Sequence, residues 1–241
     1  MWLKNLAGVF LLPVAWIWTL SFFGLLAKET VRNRFWITEE FWFFGLGTVL
    51  WLIWFAGSLY LSGEPRPIRV YVFGHELTHA IWAWLCGGFV AEFRVGREGG
   101  HILTNKANFW VTLAPYFYPV YSLMLMVVFC VVRLFYDFSE DATAYWVTPL
   151  QGLMLLLGAS WSFHFSFTIW MICRGQSDLR MHGNFFSIVL IYIMNVVLLA
   201  LHLVLALPKS GFRLFGLELL RHTENFSEAA WGFMVELVKR M

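Results

Sequence analysis

Long apolar runs separated by short polar links set the pattern of this chain. A helix needs about 20 mostly apolar residues to cross the hydrocarbon core of a bilayer. Six segments approach that length: about Leu6–Leu26, Phe41–Leu61, Ile68–Leu85, Tyr116–Phe135, Val147–Cys173 and Phe185–Leu207. The first follows Lys4 as a secretory signal would. It is longer than a signal's apolar stretch and no small-residue cleavage site follows, so it reads as a span. Lys28–Glu40 is a charged link, and Ser62–Pro67 a Gly/Pro turn that starts the third segment sharply. Gly87-Gly88 closes that segment. From Phe89 to Thr104 the period changes to alternation around Gly96, Gly99 and Gly100, which predicts a β-hairpin. The tail from Lys209 to Met241 mixes charge with Leu, Phe and Trp at helical spacing, as an interfacial helix or a small cap would. The pattern predicts an all-α polytopic membrane protein of about six transmembrane helices, with a small β-hairpin after the third. Its expected parts are two accessory helices (1–66), a core (67–207) and an amphipathic tail (208–241).

Composition agrees. Apolar residues make up 60 % of the 241, charged residues 13 % and aromatics 20 %, with 14 Trp. A soluble domain is about 45–50 % apolar and about 25 % charged, so that class is excluded, and so is disorder. Three cysteines, Cys86, Cys130 and Cys173, sit singly in or beside apolar runs and make neither a disulfide framework nor a redox pair. A net charge of +2 gives no footprint for nucleic acid. Lys and Arg are nearly balanced between alternate links, so charge does not set the orientation.

The third segment departs from the apolar pattern. It contains His75-Glu76-Leu77-Thr78-His79, the H-E-x-x-H arrangement. On a helix, residues four apart share a face, so both imidazoles can reach one ion while Glu76 leans toward a water on it as general base. Zinc suits such nitrogen ligands and, in catalytic sites, keeps one position open. Three ionisable groups in an apolar helix are expensive and usually mark function. The bland alternative is a polar face satisfied within a helix bundle.

A catalytic zinc needs a third protein ligand. The chain has three Asp. Asp137 and Asp141 lie in an acidic loop, where solvation accounts for them. Asp178 stands at a boundary between the fifth and sixth segments, where it can fold back as a ligand or cap a helix beginning at Leu179. His164 shares a helical face with Ser160 and Thr168 and is either a ligand, a partner that holds one, or a hydrogen-bonded core residue. His182 is close enough in sequence to substitute for Asp178. His101 is expected in the hairpin turn, His222 in the tail, and Asn195 and His202 on one face of the sixth segment.

The chain resembles the site-2 protease family of intramembrane zinc metallopeptidases, in its compact bacterial branch without a PDZ domain. The resemblance covers about Ile68 to Leu207. It rests on His75-Glu76-x-x-His79 in an apolar helix, the Gly-Gly stop, the Gly-containing hairpin, Leu113-Ala114-Pro115 opening the next span, and a distant Asp before a later one. Here Asp178 is followed by Leu179 rather than Gly, with Gly183 five residues on, and Tyr118 stands about where the family often has Asn. The resemblance implies one Zn2+ per chain held by His75, His79 and Asp178, with Glu76 as base. It also implies hydrolysis of peptide bonds in or near the transmembrane helices of membrane-protein substrates, the chemistry of regulated intramembrane proteolysis. The compact size and the lack of a targeting tag suggest a multi-pass protein of a prokaryotic inner membrane, in contact with lipid and open to a regulatory membrane partner.

Val90, Glu92 and Arg94 in the hairpin could receive an unwound substrate by strand addition. Two other functions compete. A non-catalytic pseudoprotease or structural subunit would bind membrane partners without turnover, but would not need Glu76. A transporter would line a path with further intramembrane carboxylates, and the other apolar segments have essentially none.

Overall fold

The computed structural model describes residues 2–28, 37–96, 99–135, 147–206 and 211–240. The protein is mostly helical with one β-hairpin. In order, the elements are α1 (Trp2–Ala27), α2 (Glu39–Ser62), α3 (Ile68–Leu85), β1 (Val90–Val95), β2 (Gly100–Thr104), α4 (Phe109–Leu113), a 3-10 turn (Ala114–Tyr116), α5 (Val120–Phe135), α6 (Pro149–Cys173), α7 (Ser177–His182), α8 (Asn184–Ala206) and α9 (Gly211–Arg240). The acidic loop with Asp137 and Asp141 lies outside the described residues.

Among the described residues, four helices are long and apolar enough to cross a membrane: Leu3–Ala27, Phe41–Ser62, Pro149–Cys173 and Asn184–Leu201. A fifth crossing is available if the pair Phe109–Tyr116 and Val120–Val132, bent by 80°, is one broken span. The expectation of six spans is therefore met by four or five. The helix that does not qualify is α3. Its 18 residues reach about 27 Å, short of a hydrocarbon core of about 30 Å, and Arg69, His75, Glu76 and His79 dilute its apolar character. The fourth expected span, about Tyr116–Phe135, is helical only from Val120, just past Pro119, which carries no N–H and cannot continue a helix.

The chain divides into two compact units, Ile37–Met181 and the combination of Met1–Trp36 with His182–Met241. In the first unit α2 and α6 pack closely. A Cβ on Gly47 would lie 2.0 Å from the Leu155 carbonyl oxygen, and one on Gly158 would lie 2.0 Å from that of Phe44. Glycine at both places is what lets the backbones approach. An aromatic core of Tyr71, Phe163 and Phe167, flanked by Trp51 and Phe55, ties α3 to this pair. Tyr71 stacks on Phe167 with ring centroids 4.8 Å apart.

The second unit packs α1, α8 and the start of α9. Ala15 meets Val189 and Ile193, and Leu25 meets Val204 beside Leu214 and Phe215. The tail forms a helix of 30 residues whose first turns are partly buried and whose remainder, from Glu224 on, is exposed.

Candidate metal centre

α3 begins after Pro67 and ends where Gly88 N–H reaches back to the Ala83 carbonyl at 2.8 Å, with Gly87 at φ 72. Between these ends the polar residues from His75 to His79 fall on its buried face. His75, Glu76, Thr78 and His79 are all buried. The two imidazoles stand edge to face with centroids 4.8 Å apart.

Asp178 comes to them from α7. Gly175 at φ 77 turns the chain out of α6, and α7 starts at Ser177 with Asp178 in its first turn. Its carboxylate goes to the histidines: Oδ2 lies 3.6 Å from His75 Nε2 and 3.5 Å from His79 Nε2. Burial works against its charge, yet the imidazoles of His75 and His79 outweigh that and hold its carboxyl well below the usual carboxylate range.

The donor atoms of His75, His79 and Asp178 all lie within 4.8 Å of one another. Two ligands at about 2.0–2.2 Å from a tetrahedral ion stand about 3.3–3.6 Å apart. The two His–Asp separations match that, and the nitrogen–oxygen donor set is one that zinc accepts. The residues fit the metal that the H-E-x-x-H arrangement implies.

The surroundings fix these donors. The helix α4 is five residues long, and its Asn108 cap accepts from Val111 N–H at 2.9 Å. The Val111 carbonyl would continue the helix by pairing four residues on, but that residue is Pro115, which has no N–H. His79 Nδ1 takes that carbonyl at 2.6 Å, which leaves Nε2 as the atom facing His75 and Asp178. Tyr116, the residue after Pro115, donates its hydroxyl to Asp178 Oδ2 at 2.9 Å. Neither Val111 nor Tyr116 stands out in the sequence. The one available signal is Pro115, which predicts an unused carbonyl four residues earlier.

A cavity of about 450 Å³ opens on the cluster, lined by His75, Glu76, His79 and Asp178 together with β2 and residues of α6 and α7. Glu76 lies beside the donors, as the spacing predicts. β2 presses close: a Cβ on Gly100 would stand 2.7 Å from Glu76 Cγ and 2.8 Å from Val72 Cγ1. The hairpin pairs Arg94 with His101 and Val95 with Gly100. None of Val90, Glu92 and Arg94 borders the cavity. Glu92 instead pairs with Arg94 and lies 3.9 Å from His101. The strand beside the donors is β2.

The remaining candidates separate. His182 Nδ1 lies 3.1 Å from Lys4 Nζ and is not in the donor cluster. His164 is buried on α6 near His75 but is also outside the cluster. His222 stands 3.7 Å from Glu218 on α9, and Asn195 donates to the Ile191 carbonyl in its own helix at 2.8 Å. The side chain of His202 lies outside the described residues. Cys86, Cys130 and Cys173 are free thiols.

The chain matches no family model, no curated protein and no solved structure.

Proposed function

We infer that this chain is a membrane-embedded zinc metalloprotease that hydrolyses peptide bonds in or near transmembrane segments of membrane-protein substrates. The observation that carries the reading is the convergence of His75, His79 and Asp178, their donor atoms within 4.8 Å of one another and both His–Asp pairs at ligand spacing, with Glu76 lining the same cavity. A metal that only bound partners would not call for a buried carboxylate next to its first ligand. Zinc held there would supply a Lewis acid for the scissile carbonyl and an acidified water. Glu76 takes the proton from the attacking water and returns it to the leaving amine, so that proton and hydroxyl end on the two new termini. A substrate helix must unwind to expose its peptide bond. The edge of β2 not paired with β1 is placed to receive the unwound segment by strand addition, in the role expected of β1.

The test is zinc content and peptide cleavage of purified protein in detergent. Wild type is expected to carry about one zinc per chain and to cut a labelled single-span peptide. Asp178→Asn should lose most of the metal. Glu76→Gln should keep the metal and lose cleavage by about 10²-fold or more, the scale of a general base. Zinc retained equally by Asp178→Asn would remove Asp178 from the site. No zinc in metal-replete wild type would favour a structural subunit.

A further inference from the structure

Two buried nitrogens on facing helices lack a hydrogen-bond partner among the described residues: His75 Nδ1 on α3 and His164 Nε2 on α6. Both side chains are more than nine-tenths buried. An unpaired buried polar group is costly, so two at one place call for an explanation. A second, small cavity lies between them, walled by His75, His164, Gly74, Thr78, Tyr118 and Tyr121. Its free volume is about 10 Å³, on the scale of a single water molecule.

The tautomers follow from the contacts. His75 turns Nε2 toward Asp178, so a neutral His75 that ligates through Nε2 carries its proton on Nδ1. His164 meets the main chain of Tyr116. The nitrogen left over for that contact is Nδ1, and a neutral His164 with its proton there presents Nε2 as an acceptor. A donor and an acceptor therefore face one water-sized space. His79 already has such an anchor in the Val111 carbonyl; His75 has none from the protein directly.

We propose that His164 is the positioning residue for His75, acting through one water held in this cavity that accepts from His75 Nδ1–H and donates to His164 Nε2. The proposal rests on the metal reading above. The line runs from the ligand through the water and His164 to the Tyr116 main chain, while the Tyr116 hydroxyl holds Asp178. Two of the three metal ligands are thereby oriented from one residue.

The experiment is zinc affinity by chelator competition on the full chain in detergent, comparing wild type, His164→Leu and His164→Gln. Leu fills the space without an acceptor, whereas Gln offers a carbonyl near the Nε2 position. His164→Leu is expected to bind zinc about 10–100-fold more weakly, with His164→Gln recovering most of that loss. Equal affinity in wild type and His164→Leu overturns the proposal and leaves the metal reading intact. Equal loss in both variants also overturns it, because packing alone would then explain the effect. A wild type that takes no zinc overturns both. Should neither variant fold, solid-state ¹⁵N spectra of zinc-loaded wild type decide. His75 is expected with Nδ1 protonated and in contact with a slowly exchanging water. A deprotonated Nδ1, or no water contact, overturns the proposal.

Discussion

Tyr116 reaches the centre twice, by its hydroxyl to Asp178 at 2.9 Å and by its main chain to His164. A hydrogen bond to a charged group contributes about 1.5–3 kcal/mol, and loss of a group that orients a ligand costs about 10–100-fold in metal affinity. Tyr116→Phe keeps the ring against His75 and removes only the hydroxyl. It is expected to weaken zinc binding about tenfold, read by chelator competition, and to lower stability by no more than the about 1.5–3 kcal/mol of that one hydrogen bond. Unchanged affinity would mean that the hydroxyl does not hold Asp178. At this scale the sequence is readable where function is local. His75, Glu76 and His79 declare themselves because helical spacing alone puts them on one face. Asp178 is one of three aspartates, and its own neighbourhood leaves ligand and helix cap equally open. Only the fold, which brings α7 back to α3, sets its carboxylate against the two imidazoles. Tyr116 gives no signal, since its partner is 62 residues away.

The helices are legible for a different reason. Composition alone separates α1, α2, α6 and α8 from their links, and Gly87-Gly88 marks a stop that hydrogen bonds confirm. The start of α5 is harder, since the apolar run reads as helical from Tyr116 until Pro119 is weighed as a missing donor. Which faces pack is not legible at all, because every side of an apolar helix looks alike to lipid. α6 shows what selects the face. Gly158 lies against the Phe44 carbonyl, whereas Gly152, in the same helix, has open space where a Cβ would stand. Gly158→Ala must push α2 and α6 apart, and overpacking of this kind costs about 1–3 kcal/mol. Gly152→Ala meets nothing and removes a flexible residue from a helix, which stabilises by about 0.5–1 kcal/mol. Thermal unfolding of the two variants in detergent should therefore shift in opposite directions. A parallel shift would mean that α2 and α6 do not cross at Gly158.

For the whole molecule, the division into units follows contacts that no local pattern reveals. The sequence suggests two accessory helices followed by a core, whereas α1 packs with α8 and α9, and α2 with α6. One determinant of the first grouping is electrostatic. Glu218 on α9 is 2 % exposed and set against Gly24 of α1, where a Cβ would come within 2.6 Å of its carboxylate. Lys28 reaches it at 2.7 Å, Arg221 at 2.5 Å and His222 at 3.7 Å. A buried carboxylate stripped of its partners is costly, about 3–5 kcal/mol when the pair is fully buried. Lys28 and Arg221 are each about half in solvent, which screens the interaction and brings the expected loss for Lys28→Met with Arg221→Met to about 1–3 kcal/mol. Glu218→Gln should cost less, because it removes the buried charge and leaves the two bases to water. All the donors and orienting groups of the candidate metal centre lie between Tyr71 and Asp178, in the other unit. The double variant should therefore unfold at lower temperature yet hold the same zinc per chain as wild type below that transition. Zinc lost in proportion to stability would show instead that the two units stand or fall together.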